Sequence, residues 1–134
     1  MKNLLTVLVI FLTYGCSSTA NNSQFTGDLS TSSTDPQYGY IESKPVELGG
    51  FMRGTKYEGA HFEYFSSLLG PQGQKVKVER LGSCCEFEDA SLPLGGGLLD
   101  RYELTYEGQK KPAVIYVNLY RFEQPKAPQG FTLL

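Results

Sequence analysis

Apolar positions follow two regimes along the 134-residue chain. Residues 4–12 form a near-continuous apolar run broken only by Thr6, and residues 17–36 then hold just two large apolar side chains, Phe25 and Leu29. From Tyr38 onward the pattern becomes periodic. Residues 38–42 read as a short strand, which residues 45–48 extend before Gly49-Gly50 breaks the chain. Residues 57–69 read as a helix: Phe62, Phe65, Leu68 and Leu69 recur at helical spacing, Glu58 and Glu63 fall off that stripe, and Gly70-Pro71 stops it. The period then becomes two. Residues 75–81 place Val76, Val78 and Arg80 on one face, residues 99–107 place Tyr102, Leu104 and Tyr106 on one face, and residues 113–122 are rich in β-branched and aromatic side chains. A short turn around Gly108 joins the last two strands as an antiparallel hairpin. Strand, helix and three strands predict an α+β domain, with a single helix packed on one face of a small antiparallel meander sheet.

The first apolar run has a different purpose. Lys2 precedes it and Gly15 closes it, the layout of a secretory signal, and it is too short to span a bilayer as a helix. Leu12-Thr13-Tyr14-Gly15-Cys16 resembles a bacterial lipobox, in which a small residue precedes the cysteine that is acylated. Three segments are therefore expected: a signal peptide over residues 1–15, a lipidated Cys16 with a flexible linker over residues 16–37, and a globular domain over residues 38–134. The linker buries too little apolar surface to offset its ordering entropy. As a flexible chain it spans roughly 25 Å.

Charge narrows the partners. Of the 12 basic residues only Lys2 precedes Cys16, so the mature chain carries 11 basic and 14 acidic residues, a net charge of −3. No basic block marks a nucleic-acid surface and no polybasic stretch marks anionic lipid. The membrane is held through the lipid on Cys16, each buried methylene contributing roughly 0.8 kcal/mol. Ser17 follows the cysteine and residues 17–24 contain no acidic run, a combination read here as outer-membrane retention facing the periplasm.

Few residues suggest chemistry. With Cys16 acylated, Cys84 and Cys85 are the remaining thiols in an oxidising compartment. Either they close a vicinal disulfide, which makes a redox-sensitive or ligand-contacting corner and forces the strand to end or kink, or they stay reduced on opposite faces of the sheet. The reduced form is the one expected. Nine tyrosines stand against no tryptophan, and Tyr102, Tyr106, Tyr116 and Tyr120 share a period-two register within their strands. They form either a core and flanking layer or a binding face. His61, the one histidine, lies beside the helical stripe and reads as a packed residue with satisfied nitrogens. No CxxC or HxxxH spacing supports a metal site, and no cofactor is implied. Glu58 and Glu63 do not share a helix face, and Glu86, Glu88 and Asp89 lack the spacing of a calcium loop. Gly95-Gly96-Gly97 lacks a phosphate-loop pattern and reads as a corner between two strands.

Leu81-Gly82-Ser83-Cys84-Cys85-Glu86-Phe87, Gly95-Gly96-Gly97-Leu98-Leu99-Asp100-Arg101-Tyr102-Glu103, Tyr38-Gly39-Tyr40, Ala127-Pro128-Gln129-Gly130-Phe131 and the stretch from Lys111-Pro112 to Tyr120 resemble a family of small lipoproteins from the Bacteroidota. The resemblance covers essentially all of residues 38–134 and implies no settled activity. Family members often bear the name 2-dehydro-3-deoxyphosphooctonate aldolase. That enzyme resembles a (β/α)₈ barrel of at least about 200 residues, which a domain with one helix cannot build. The expectation is a non-enzymatic interaction module with an envelope protein partner, with a small-ligand or glycan-binding domain using the tyrosine face as the alternative.

Overall fold

The structure, a computed structural model, describes residues 31–134. The expected signal peptide, Cys16 and residues 17–30 of the expected linker lie outside the described residues. The described chain forms β1 (Val46–Glu47), α1 (Ala60–Ser67), β2 (Leu68–Leu69), β3 (Lys77–Glu88), β4 (Gly96–Thr105), β5 (Ala113–Asn118) and β6 (Thr132–Leu133). It is an α+β fold with one helix, and its four-stranded sheet has the order β1-β5-β4-β3. β3, β4 and β5 are an antiparallel meander, and β1 adds in parallel to the free side of β5. β2 and β6 make a separate antiparallel pair. Among the described residues no helix is long and apolar enough to cross a membrane.

Alternation decides the two faces. Tyr102 stands opposite Ile115 and Leu104 opposite Ala113, and these positions face α1 and β6. The core lies there, built on Val46, Leu48, Leu104, Ile115 and Val117 from the sheet and Tyr64, Leu68, Phe131 and Leu133 from the cover. Fully burying one such side chain contributes about 1.5–3 kcal/mol.

The helix is shorter than its sequence pattern. The chain enters it through Gly59 at φ 83°, in the left-handed region, so residues 57–59 are turn rather than helix. Tyr57 is held outside by stacking on Phe122, with ring centroids 4.0 Å apart. Ser66 and Ser67 donate hydroxyl hydrogen bonds to the Glu63 and Tyr64 carbonyls in the last turn. Leu68 and Leu69 then leave the helix, because Leu133 and Thr132 offer them a ladder. The expected stripe is rotated in consequence. Phe62 is 71% exposed while Tyr64 is buried.

Residues 38–44 form turns instead of the expected strand, with Tyr40 donating its N–H to Gln37 and Lys44 its N–H to Ile41. Gly39 sits at φ +78°, where an added Cβ would meet Pro128 at 3.1 Å and Val46 at 3.2 Å. Residues 31–37 also depart from the linker reading. Ser33 donates its N–H to the Ala127 carbonyl at 2.8 Å, and Ala127 donates to Thr31 at 2.8 Å. The Ser32 hydroxyl reaches the Phe131 carbonyl at 2.7 Å, and Asp35 pairs with Lys44 at 2.7 Å. These residues bury little apolar surface but satisfy backbone groups of the 127–133 segment. Polarity alone hid that role.

Candidate functional site

The opposite face of the sheet carries Arg101, Glu103, Val114, Tyr116 and Asn118, read from the β4–β5 register. At its β3 end an aromatic group assembles from three separate segments. Phe51, 60% exposed, packs on Tyr120 with ring centroids 4.6 Å apart, and Tyr120 meets Phe87 edge-on at 5.5 Å. The Arg121 guanidinium lies 5.4 Å from the Phe87 ring centroid and pairs with Glu47 and Asp89. Met52 beside it is also exposed.

Two local devices fix this group. Asn118, fully buried at the end of β5, accepts the N–H groups of Tyr120 at 2.8 Å and Arg121 at 3.1 Å on its Oδ1. That turns the chain so that Tyr120 lies over Gly97. An added Cβ on Gly97 would sit 2.7 Å from the Tyr120 ring and 3.1 Å from Phe87. At Gly96, φ is +153° and a Cβ would run into the Phe87 carbonyl oxygen. Of the glycine corner expected between two strands only Gly95 lies in the turn; Gly96 and Gly97 belong to β4, where close approach requires glycine.

Cys84 and Cys85 are bonded to each other, with Cα atoms 3.8 Å apart. The expectation of two reduced thiols does not describe the structure. β3 runs through the pair, but its register against β4 shifts there: Ser83 stands opposite Asp100 and Glu86 opposite Leu98, so three steps on β3 match two on β4. A β-bulge is the kink that a ring between neighbouring residues requires. A second shift lies between Arg80 and Gly82.

Beside the bulge, on the helix side, Asp100 is 8% exposed and paired with Arg80. Arg80 donates through Nε at 3.1 Å and Nη2 at 2.9 Å, and the Ser83 hydroxyl donates at 2.8 Å. The hydrogen bonds to Asp100 raise the pKa of Arg80. His61 lies nearby, with its pKa lowered by burial and pulled partly back by Asp100. It packs on Phe62 with centroids 3.9 Å apart. The reading of His61 as fully satisfied is corrected, since its buried Nδ1 has no hydrogen-bond partner. The Ser83 hydroxyl, bonded directly to the carboxylate, also accepts Arg80 Nη2 at 3.0 Å, an arrangement that ties β3 to β4.

The four tyrosines divide. Tyr102 packs on Phe65 on the core side and Tyr106 packs edge-on against Phe131. Tyr116 stands opposite Arg101 on the outer face, which it shares with Tyr120. No single ladder exists, because the hairpin register pairs Tyr102 with Ile115 and a shift of one position changes the face. Phe51, Phe87 and the Arg80–Ser83–Asp100 group were not singled out from sequence. The one available signal was matched opposite charge, Arg80 and Asp100, at core-facing positions of two strands.

Among the described residues no group of three or more His, Cys, Asp or Glu side chains can hold a metal ion. Glu58 and Glu63 line a cleft of about 760 Å³ on the α1 flank with Lys56, Tyr64, Phe122 and Lys126. Asp89 is held below the usual carboxylate range by the Ser91 hydroxyl and N–H, while Glu86 and Glu88 are exposed on β3. The chain matches no family model, no curated protein and no solved structure.

Proposed function

We propose that this chain is a bacterial lipoprotein of the kind found in the Bacteroidota. In this reading it is anchored through Cys16 to the outer membrane and faces the periplasm. It acts by docking an envelope protein partner and not by catalytic turnover. The observation that carries the reading is the Phe51–Tyr120–Phe87 group on the outer face of the sheet, in which Phe51 is exposed and Tyr120 and Phe87 are half-buried. An aromatic anchor of this kind, with Arg121 beside it, has the composition of a protein-interaction centre.

Charge on the same face specifies the partner's chemistry. Glu79 and Glu103 stand directly opposite each other on β3 and β4, a like-charge pair that destabilises the sheet when left alone. Lys77 reaches Glu79 only at 3.9 Å, with both side chains largely exposed. A partner with an apolar pocket for Phe51 and a Lys or Arg for Glu79 and Glu103 satisfies both features. Gly97 and Glu103 are six positions apart, roughly 20 Å along a strand. That fits one interface of about 800 Å² per partner. The saccharide-binding alternative loses the four-tyrosine platform on which it rested.

The test places a photo-crosslinking residue at position 51 of the full-length lipoprotein in intact cells. Position 134, also exposed, is the control. The expected result is one discrete protein adduct from position 51 that is absent from position 134 and falls at least tenfold with Glu103→Lys. No protein adduct at position 51, or the same adducts from both positions, overturns the reading.

A further inference from the structure

With Ser83 held opposite Asp100, Phe87 reaches the outer face because of the bulge at Cys84 and Cys85. Counting from Ser83 opposite Asp100, an unbulged strand would set Cys85 opposite Leu98 and Phe87 opposite Gly96. The observed pairs are Glu86 with Leu98 and Phe87 with Gly97. One extra residue on β3 therefore moves Phe87 from the helix side to the Tyr120 side, since successive strand residues point to opposite faces. The same rule ties the bulge to the bond. Neighbouring cysteines in a regular strand point apart, so the ring between Cys84 and Cys85 excludes the regular register. Two thiols do not.

Beyond the packing of Tyr120 and Arg121 on the Phe87 ring, little else holds β3 in place there. All twelve of its residues are exposed or only half-buried, and it is the open edge of the sheet. The residues facing Phe87 in the two registers are Gly97 and Gly96, neither of which has a side chain to clash with the ring. Gly-rich pairings are those in which register is weakly specified. Both cysteines are partly accessible.

We propose that Cys84–Cys85 is a site of reversible thiol–disulfide exchange with an envelope dithiol, and that its reduction lets β3 slip by one residue and withdraws Phe87 from the outer face. One thiolate of the dithiol attacks a cysteine sulfur, breaking the Cys84–Cys85 bond and forming a mixed disulfide, and the released thiolate takes a proton. The second thiol of the dithiol then displaces the remaining cysteine. Two electrons and two protons pass to the pair, and the donor leaves as its own disulfide. The consequence for docking rests on the function proposed above, whereas the register change does not and is measured without a partner.

The experiment is NMR of the full-length lipidated protein in detergent, oxidised and then reduced with dithiothreitol, with adducts counted by mass after alkylation. Expected are no adducts on Cys84 or Cys85 before reduction and two after it. Cross-strand proton contacts Glu86–Leu98 and Phe87–Gly97 should give way to Cys85–Leu98 and Phe87–Gly96, with loss of the Phe87–Tyr120 contact. A Cys84→Ala/Cys85→Ala double variant should show the second pattern without reductant. An unchanged register in the reduced protein and the double variant overturns the proposal. So does free alkylation before reduction, or global unfolding on reduction, which would make the bond merely structural.

Discussion

Replacing Asn118 with alanine should destabilise the domain by about 2 kcal/mol and loosen Tyr120 with it. The side chain is fully buried, and its Oδ1 alone receives the N–H groups of Tyr120 and Arg121. Each bond is worth about 1 kcal/mol net, and a buried donor left unpaired costs about 1–3 kcal/mol. Arg121 is an exposed residue, so its freed N–H can turn to water, and only the Tyr120 N–H is charged with a further cost of about 1 kcal/mol. Against this, Asn118 Nδ2 has no partner, and its removal returns a comparable amount. The two lost bonds remain as the balance. With a urea dependence of about 1.5 kcal/mol per molar, the midpoint should fall by about 1.3 M with unchanged slope. Asn118→Ser should recover about half, because a hydroxyl can close a weaker turn of the same kind. Near-UV circular dichroism should report the released tyrosine. A midpoint within 0.3 M of wild type, a rough limit set by the extrapolation error, would refute the assignment of these N–H groups to Asn118.

Other outcomes follow from the same geometry. Gly97→Ala should push the Tyr120 ring aside and cost about 1–3 kcal/mol, and an unaltered near-UV spectrum and urea midpoint would count against the close approach. Burial pushes the Tyr40 hydroxyl up to about 12, so its stabilising contribution is complete below the unfolded value near pH 10 and is lost as pH rises through about 12. Urea titrations of wild type and Tyr40→Phe at successive alkaline pH values should show wild type losing ground, and a constant gap between them would exclude the linkage. Cys16→Ser should abolish fatty-acid labelling while the domain still folds, and label that persists in this variant would rule out the anchor.

Much of the fold was readable because it follows from local pattern. Period-two alternation located β4, β5 and the first part of β3, and Gly108 located the β4–β5 hairpin, each being a property of neighbours in the chain, whereas β3 runs on to Glu88 and the helix stops at Ser67, ahead of Gly70-Pro71. The vicinal cysteines likewise implied that a bond between them must kink a strand, and β3 bulges there. What local pattern does not carry is who sits across. The partners of Leu68 and Leu69, Leu133 and Thr132, are 65 and 63 residues away, so an apolar helical stripe gave way to a two-residue ladder. Residues 31–37 were too polar to announce a role that depends on backbone groups near Ala127 and Phe131. Face assignment across strands was the largest loss. Periodicity fixes which residues of one strand share a face, but only register says which face the next strand adds, and one bulge reverses the answer. That is why Tyr102 and Tyr116 separate, and why Phe51, Phe87 and Tyr120, unrelated in sequence, meet on one surface.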